Sequence, residues 1–262
     1  MICMRCLLIS GHGMGIDGVY DPGACGCGLK EAVEVRRFVP ALRTVLKNNG
    51  VTVDIFEELL GKETNPYSYL RTNSFDFTVY DYVLEIHCNA ANFGSVSDGV
   101  ITGTECLVSH LEKGVGVEDS ILSYTASLGF RSRGVKRRTD LQNMNIVKKR
   151  QGVSYNLLEL FFIDDLDDVR LWQRTGVFDS YVDAVARGIC EGFGLPYSYI
   201  SKQETVSDCP FGDVSKSDYF YQSVIDAYKS GLMVGTSENT FSPSAPVTRG
   251  DLAVVLSRLL SK

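Results

Sequence analysis

Apolar residues in the first three quarters of the chain follow two periods. Ile2 to Ser10, Val51 to Phe56, Tyr82 to His87, Val100 to Val108 and Ser154 to Ile163 are short apolar-rich runs, the pattern of buried strands. Glu31 to Asn49 instead spaces Val35, Phe38, Val39, Leu42, Val45 and Leu46 at helical intervals and stops before Gly50, where a C-terminal glycine belongs. Asn65 to Ser74, Val117 to Leu128 and Tyr181 to Phe193 read as further helices. Strands alternating with helices from residue 2 to about 194 predict an α/β fold, a twisted mixed β-sheet flanked by helices on both faces.

The pattern changes after Phe193. Residues 195–207 carry Pro196, several Ser and Tyr and no apolar period, so they are expected to be a linker. Residues 208–262 form a small, mainly helical unit. Its first helix, Tyr219 to Ser230, places Val224, Ile225 and Tyr228 on one face. Thr248 caps a second, with Leu252, Val255, Leu256 and Leu259 apolar. Two short helices make a thin core, and self-association through this tail is the expected remedy.

Composition narrows the function classes. Of 262 residues, 44% are hydrophobic and 22% charged, enough apolar material for a sizeable core. A net charge of -6 argues against nucleic acid as a partner, because counterion displacement needs an excess of Lys and Arg. No run of 18 apolar residues exists to insert in a membrane. The start, MICMRCLLISGHG, lacks a secretory cleavage site, so synthesis in the cytoplasm without a signal peptide is expected. Eight scattered cysteines are then expected to be reduced.

Three histidines are present, and His12 and His87 fall at strand ends, where open α/β sheets bind ligands; His110 lies elsewhere. A catalytic zinc takes three protein ligands and leaves one position open. Glu31, opening the first helix, and Glu34, one turn later, both offer the third, and either can instead complement the helix dipole. Glu85 shares the strand face of His87 and suits an outer carboxylate or a ligand. Glu159 lies within an apolar strand, where an unpaired carboxylate is costly, so it is either salt-bridged to an arginine or a general acid/base. Asn89, two residues after His87, offers a ligand- or substrate-orienting amide or a turn former. Asp164, Asp165, Asp167 and Asp168 read as a solvated acidic loop, without the spacing of a calcium site. Cys3 with Cys6 and Cys25 with Cys27 form a rival metal set, with buried thiols as the plainer reading.

These pieces together resemble the zinc-dependent N-acetylmuramoyl-L-alanine amidases of bacterial wall hydrolases and phage endolysins, over about residues 1–194. The resemblance rests on SGHG around His12, KEAVEVRRFVPAL opening with Glu31, LEIHCNAAN around His87 and NLLELFF around Glu159. It implies one zinc ion held by His12, Glu31 and His87, with Glu159 as the catalytic acid/base. Residues 208–262 resemble an S-layer homology (SLH) module, through FGDVSKSDYFYQSVIDAYKSGLMVGTSENTFSPSAPVTRGDLAVVL. That resemblance implies a secondary cell-wall polysaccharide as partner, gripped by Arg249.

The expectation is a peptidoglycan hydrolase of endolysin or autolysin type, cutting between N-acetylmuramic acid and L-alanine and acting at the bacterial wall. The alternatives are a non-catalytic wall-binding protein, favoured if Glu159 is salt-bridged away from the metal, and a zinc peptidase cutting within the stem peptide.

Overall fold

The computed structural model describes residues 4–91, 100–198, 209–215, 218–237 and 239–260. They fall into two compact units, divided between Ile200 and Ser201. Cys3, and residues 199–207 of the expected linker, lie outside the described residues. Leu195 and Tyr197, also assigned to that linker, pack against the core of the first unit, and the Ser198 amide donates to Asn49 Oδ1 at 2.7 Å. Chain continuous with this core thus extends at least to Ser198.

The first unit opens with β1 (Arg5–Ser10) and two small hairpins, β2 (Gly13–Met14) with β3 (Tyr20–Asp21) and β4 (Cys25–Gly26) with β5 (Leu29–Lys30). There follow α1 (Glu31–Asn48), β6 (Thr52–Ile55), α2 (Phe56–Leu59), α3 (Pro66–Leu70), β7 (Tyr82–Asn89), β8 (Thr104–Ser109), α4 (Gly116–Ser127), β9 (Ser132–Arg138), α5 (Gln142–Gln151), β10 (Tyr155–Phe162), α6 (Leu166–Trp172) and α7 (Val177–Gly192). The sheet order is β6-β1-β7-β10-β8-β9. β6, β1, β7 and β10 are mutually parallel, and β8, antiparallel to β10, makes the sheet mixed.

Strand periodicity divides the core in two. Cys6, Leu8, Leu84, Ile86, Leu158 and Leu160 face α1, α4, α6 and α7, where Phe38, Val39, Leu42, Ile121, Trp172 and Val185 are buried. Leu7, Ile9, Val83, Tyr155 and Leu157 face the other way, against Phe56, Phe77, Met144 and Val147. Each such side chain contributes roughly 1.5–3 kcal/mol by leaving water, which holds both layers on the sheet. α1 leads from β1 to β6 on one flank, and the next strand, β7, pairs on the other flank of β1. The chain therefore reverses its strand order at β1/β7, and a crevice opens beyond the carboxyl ends of those strands.

Several elements differ from expectation. β9 (SRGVKRR) and α5 (QNMNIVKKRQ) have little apolar periodicity; β9 is a basic edge strand and α5 buries only Met144 and Val147. α3 ends early, where the Asn73 amide donates to the Tyr69 carbonyl and competes with helical pairing. The acidic cluster is not a solvated loop: Asp164, Asp165 and Asp168 are buried. Asp165 caps α6 by accepting the Asp167 and Asp168 amides, and Asp168 accepts those of Gly103 at 2.7 Å and Phe162 at 2.9 Å. Backbone donors left bare at a strand end and a helix start explain why carboxylates sit inside.

The second unit contains α8 (Tyr221–Lys229) and α9 (Arg249–Leu260). Its core is Cys209, Phe211, Val214, Val224 and Ile225. Thr248 and Asp251 cap α9 reciprocally. α9 buries none of its side chains, and Leu252, Val254, Leu256 and Leu259 are about half exposed, so the expected two-helix core is built by α8 and its loops alone. Among the described residues no helix is long and apolar enough to cross a membrane.

Candidate functional site

β1 ends at Ser10, and the next residues bend sharply: His12 has a φ of 61°. Arg36, from α1, secures the bend by donating to the carbonyls of Gly11 at 3.1 Å and His12 at 2.9 Å. The His87 ring lies so close to Gly11 that a Cβ there would stand 2.4 Å from its Cε1. Gly23 is under a similar constraint, since its Cβ would meet Glu31 Oε2 and the His12 ring at 2.6 Å. Bare backbone at these two positions lets the histidines converge, with ring centroids 4.8 Å apart.

Glu31 lies between them. Its Oε2 is 3.0 Å from His12 Nε2 and accepts the Ala24 amide at 2.8 Å. Its Oε1 is 2.9 Å from His87 Nδ1 and accepts the Cys88 amide at 2.8 Å. Burial works to raise the Glu31 carboxyl, but the two imidazoles outweigh it and hold the group well below the ordinary carboxylate range. Burial works in the opposite sense on the histidines, and there the carboxylates win: both imidazoles are raised above their usual value, His87 strongly. Glu34 is not in this cluster; it is buried against Trp172, accepting the indole N–H at 2.9 Å.

Each histidine nitrogen turned away from Glu31 meets another carboxylate. His12 Nδ1 is 2.8 Å from Asp21, which is itself fixed by the Asn65 amide and the Gly23 N–H. His87 Nε2 is 3.0 Å from Glu85, which accepts the Tyr155 hydroxyl at 2.6 Å. Glu85 thus lies behind a histidine, one of the two roles expected of it. Asp21 and Tyr155 escaped the sequence reading: Asp21 sits in a turn, and Tyr155 looked like ordinary strand core.

His12, Glu31 and His87 offer ligand atoms within 4.8 Å of one another, the one such His/Cys/Asp/Glu group among the described residues. Two imidazole nitrogens and one carboxylate oxygen, each histidine backed by an acidic group, are a donor set suited to a catalytic divalent cation with an open position. Among the described residues the cysteines supply no rival group: Cys6 is buried in the sheet and Cys25 is an exposed thiol.

Glu159 pairs in register with His87 on one side and Glu105 on the other. No ion pair or hydrogen bond reaches its carboxylate among the described residues, and its Oε2 is buried without a partner. Burial pushes its carboxyl up to about 7; His87 opposes the shift, and Glu31 and Glu105 add to it. The arginine that could have neutralised it serves Glu105 instead: Arg133 Nε donates to Glu105 at 2.6 Å, beside Lys136. Glu105 was missed, although a charge inside an apolar strand had singled out Glu159 by the same reasoning. Asn89 donates to Glu105 at 3.0 Å and so steadies that carboxylate rather than a histidine. His110 is exposed and faces Asn145.

A cleft of about 260 Å³ opens over His12, Asp21, Glu85 and His87, walled by Asn65, Tyr67 and the start of α5. In the second unit, Arg249 is exposed at the first residue of α9.

Comparison with known proteins identifies the families that the two units match. Residues 6–191 match the family described as N-acetylmuramoyl-L-alanine amidase, and residues 210–253 match the S-layer homology domain. "Probable autolysin PH" of Staphylococcus aureus is 28% identical over 200 residues, covering 71% of this chain and 38% of that protein. The sporulation-specific N-acetylmuramoyl-L-alanine amidase of Bacillus subtilis is 28% identical over 186 residues, covering 68% of this chain and 66% of the relative. The chain thus spans less than two thirds of the length of either relative. Among solved structures, an N-acetylmuramoyl-L-alanine amidase from Clostridium difficile 630 superposes with a TM-score of 0.59 at 15% identity, covering 74% of this chain and 98% of that one, a likeness of fold.

The raised histidines make metal binding a competition with protons. Below their elevated pKa values both rings hold protons against Glu31, and a cation must displace them. Calorimetric zinc titrations in buffers of differing ionisation enthalpy are expected to show proton release and an affinity that rises from pH 6 to pH 8. Binding that is independent of pH and releases no proton would contradict this.

Proposed function

The chain belongs to the N-acetylmuramoyl-L-alanine amidase family, and from that premise we propose that it hydrolyses the amide between N-acetylmuramic acid and L-alanine in peptidoglycan. In this reading His12, Glu31 and His87 hold one zinc ion and Glu159 is the catalytic acid/base. The observation that carries it is the half-buried Glu159 side chain beside the histidine cluster, one of whose carboxylate oxygens is buried without a partner. A Glu159 locked in a salt bridge would have favoured a protein that only binds walls. The zinc peptidase reading shares every one of these groups and differs only in the amide attacked.

Zinc, when bound, supplies the positive charge that polarises a carbonyl and acidifies water. The chain's own groups do the rest. The nitrogens of His12 and His87 that face Glu31 would offer their lone pairs to the cation once deprotonated, while Asp21 and Glu85 hold the opposite nitrogens and so set each tautomer. Glu159, with a carboxyl near neutrality, can take a proton from attacking water and return it to the departing alanine nitrogen. Glu105 stays ionised between Arg133 and Lys136 and cannot take that role.

The second unit is proposed to hold the enzyme to a secondary cell-wall polysaccharide, with the wall as its place of action. Arg249, exposed at the start of α9, can present its planar fork to an acidic sugar group. The half-exposed leucines of α9 support self-association through this unit.

Glu159→Gln is expected to bind zinc with wild-type stoichiometry while turnover of purified walls falls by about 10²- to 10⁴-fold. Activity within a factor of ten of wild type would remove Glu159 from the mechanism. For the tail, light scattering is expected to give a mass above the monomer that returns to the monomer in Leu256→Glu. A monomeric unmodified chain would refute self-association.

A further inference from the structure

The cleft over the histidines continues along α5. Gln142, at its wall, also lines a depression of about 430 Å³ with Arg71 and Arg150, and another of about 550 Å³ with Lys149 and Arg150. Gln142, Ile146 and Arg150 line both depressions. Spaced by four residues, they form one ridge of the helix. Asn143, Val147 and Gln151 face the first hollow, and Asn145 and Lys149 the second.

The charge in these hollows is unusual for this chain. The protein carries 32 acidic residues against 26 basic ones, yet residues 131–150 hold eight Lys or Arg and a single acid, Asp140. Some of these cations are paired, Arg138 with Asp140 and Lys148 with Glu112. Arg71, Lys149 and Arg150 are exposed and enter no ion pair among the described residues. No Asp or Glu is among the described residues lining either hollow. Concave surfaces lined by one sign of charge concentrate ligands of the other sign.

We propose that the Gln142–Ile146–Arg150 ridge and its two flanking hollows are the subsite for the acidic peptide portion of the substrate, with Arg150, aided by Arg71 or Lys149, gripping its carboxylates. This rests on the amidase reading. In such a substrate the muramic carboxyl is consumed in the scissile amide, so free carboxylates belong to the peptide and lie beyond the cut. Gln142 and Arg150 stand eight helical steps apart, about 12 Å. An extended peptide covers that span in three to four residues at about 3.3–3.6 Å each. Exposed Ile146 supplies an apolar contact midway.

The test uses the full chain and two synthetic substrates: N-acetylmuramoyl-L-Ala-γ-D-Glu-L-Lys-D-Ala with free carboxylates, and the same compound with both as amides. Wild type is expected to favour the acid by about tenfold, expressed in KM rather than kcat. Arg150→Ala should erase that preference, and Arg150→Lys should restore part of it. An Arg150→Ala/Lys149→Ala/Arg71→Ala variant that still discriminates as wild type does would overturn the subsite and leave the amidase standing. Calorimetric binding of the free tetrapeptide and its diamide separates the opposite case. Acid-selective, Arg150-dependent binding without cleavage of either substrate would keep the subsite and reject the amidase. Equal binding of both peptides, or binding of a glycerol-phosphate oligomer in place of the peptide, would reject the subsite.

Discussion

The carboxylate of Glu31, 2% exposed, is the constraint on which the first unit's crevice depends. An ionised group so far from water is tolerable only when its oxygens are fully engaged. Two imidazoles and two backbone amides engage them. Those four partners come from the loop after β1, the hairpin before α1 and the end of β7, so one side chain ties together three separated stretches of chain. Bare backbone at Gly11 and Gly23 and the left-handed turn at His12 are local consequences, and Arg36 holds that turn in place.

From this carboxylate a row of charge runs across the sheet. His87, Glu159 and Glu105 are register partners on β7, β10 and β8, and Arg133 and Lys136 on β9 close the row. The two basic residues neutralise Glu105, not Glu159, although both carboxylates lie in the same row. Glu159 is left with burial and neighbouring negative charge, which together favour its protonated form. Two glutamates on one face thereby acquire different protonation behaviour, the condition for one of them to exchange protons near neutrality.

Much of this was legible in the sequence because it depended on period and position. β1, β7 and β10 were visible as apolar runs, α1 as a helical stripe, and His12 and His87 as strand-end residues. The choice between Glu31 and Glu34 was not legible from spacing, since both open the same helix; it was decided by Trp172, which takes Glu34 into the core from 138 residues away. β9 and α5 were invisible because their polar, basic sequences serve an edge strand and a half-exposed helix rather than the core. The acidic residues 164–168 were misread because capping a strand end and a helix start buries carboxylates that look solvated by composition. In the second unit the apolar stripe of α9 was legible, and its exposure was not, because a stripe does not say what covers it.

The most direct test of the account is to digest purified Gram-positive walls with the full chain, with and without a strong chelator, and to map the released fragments by mass spectrometry. Stem peptides that begin with a free L-alanine amino group, lost on chelation and restored by zinc, are the expected product. Walls left uncut, or fragments that begin within the stem peptide, would contradict it.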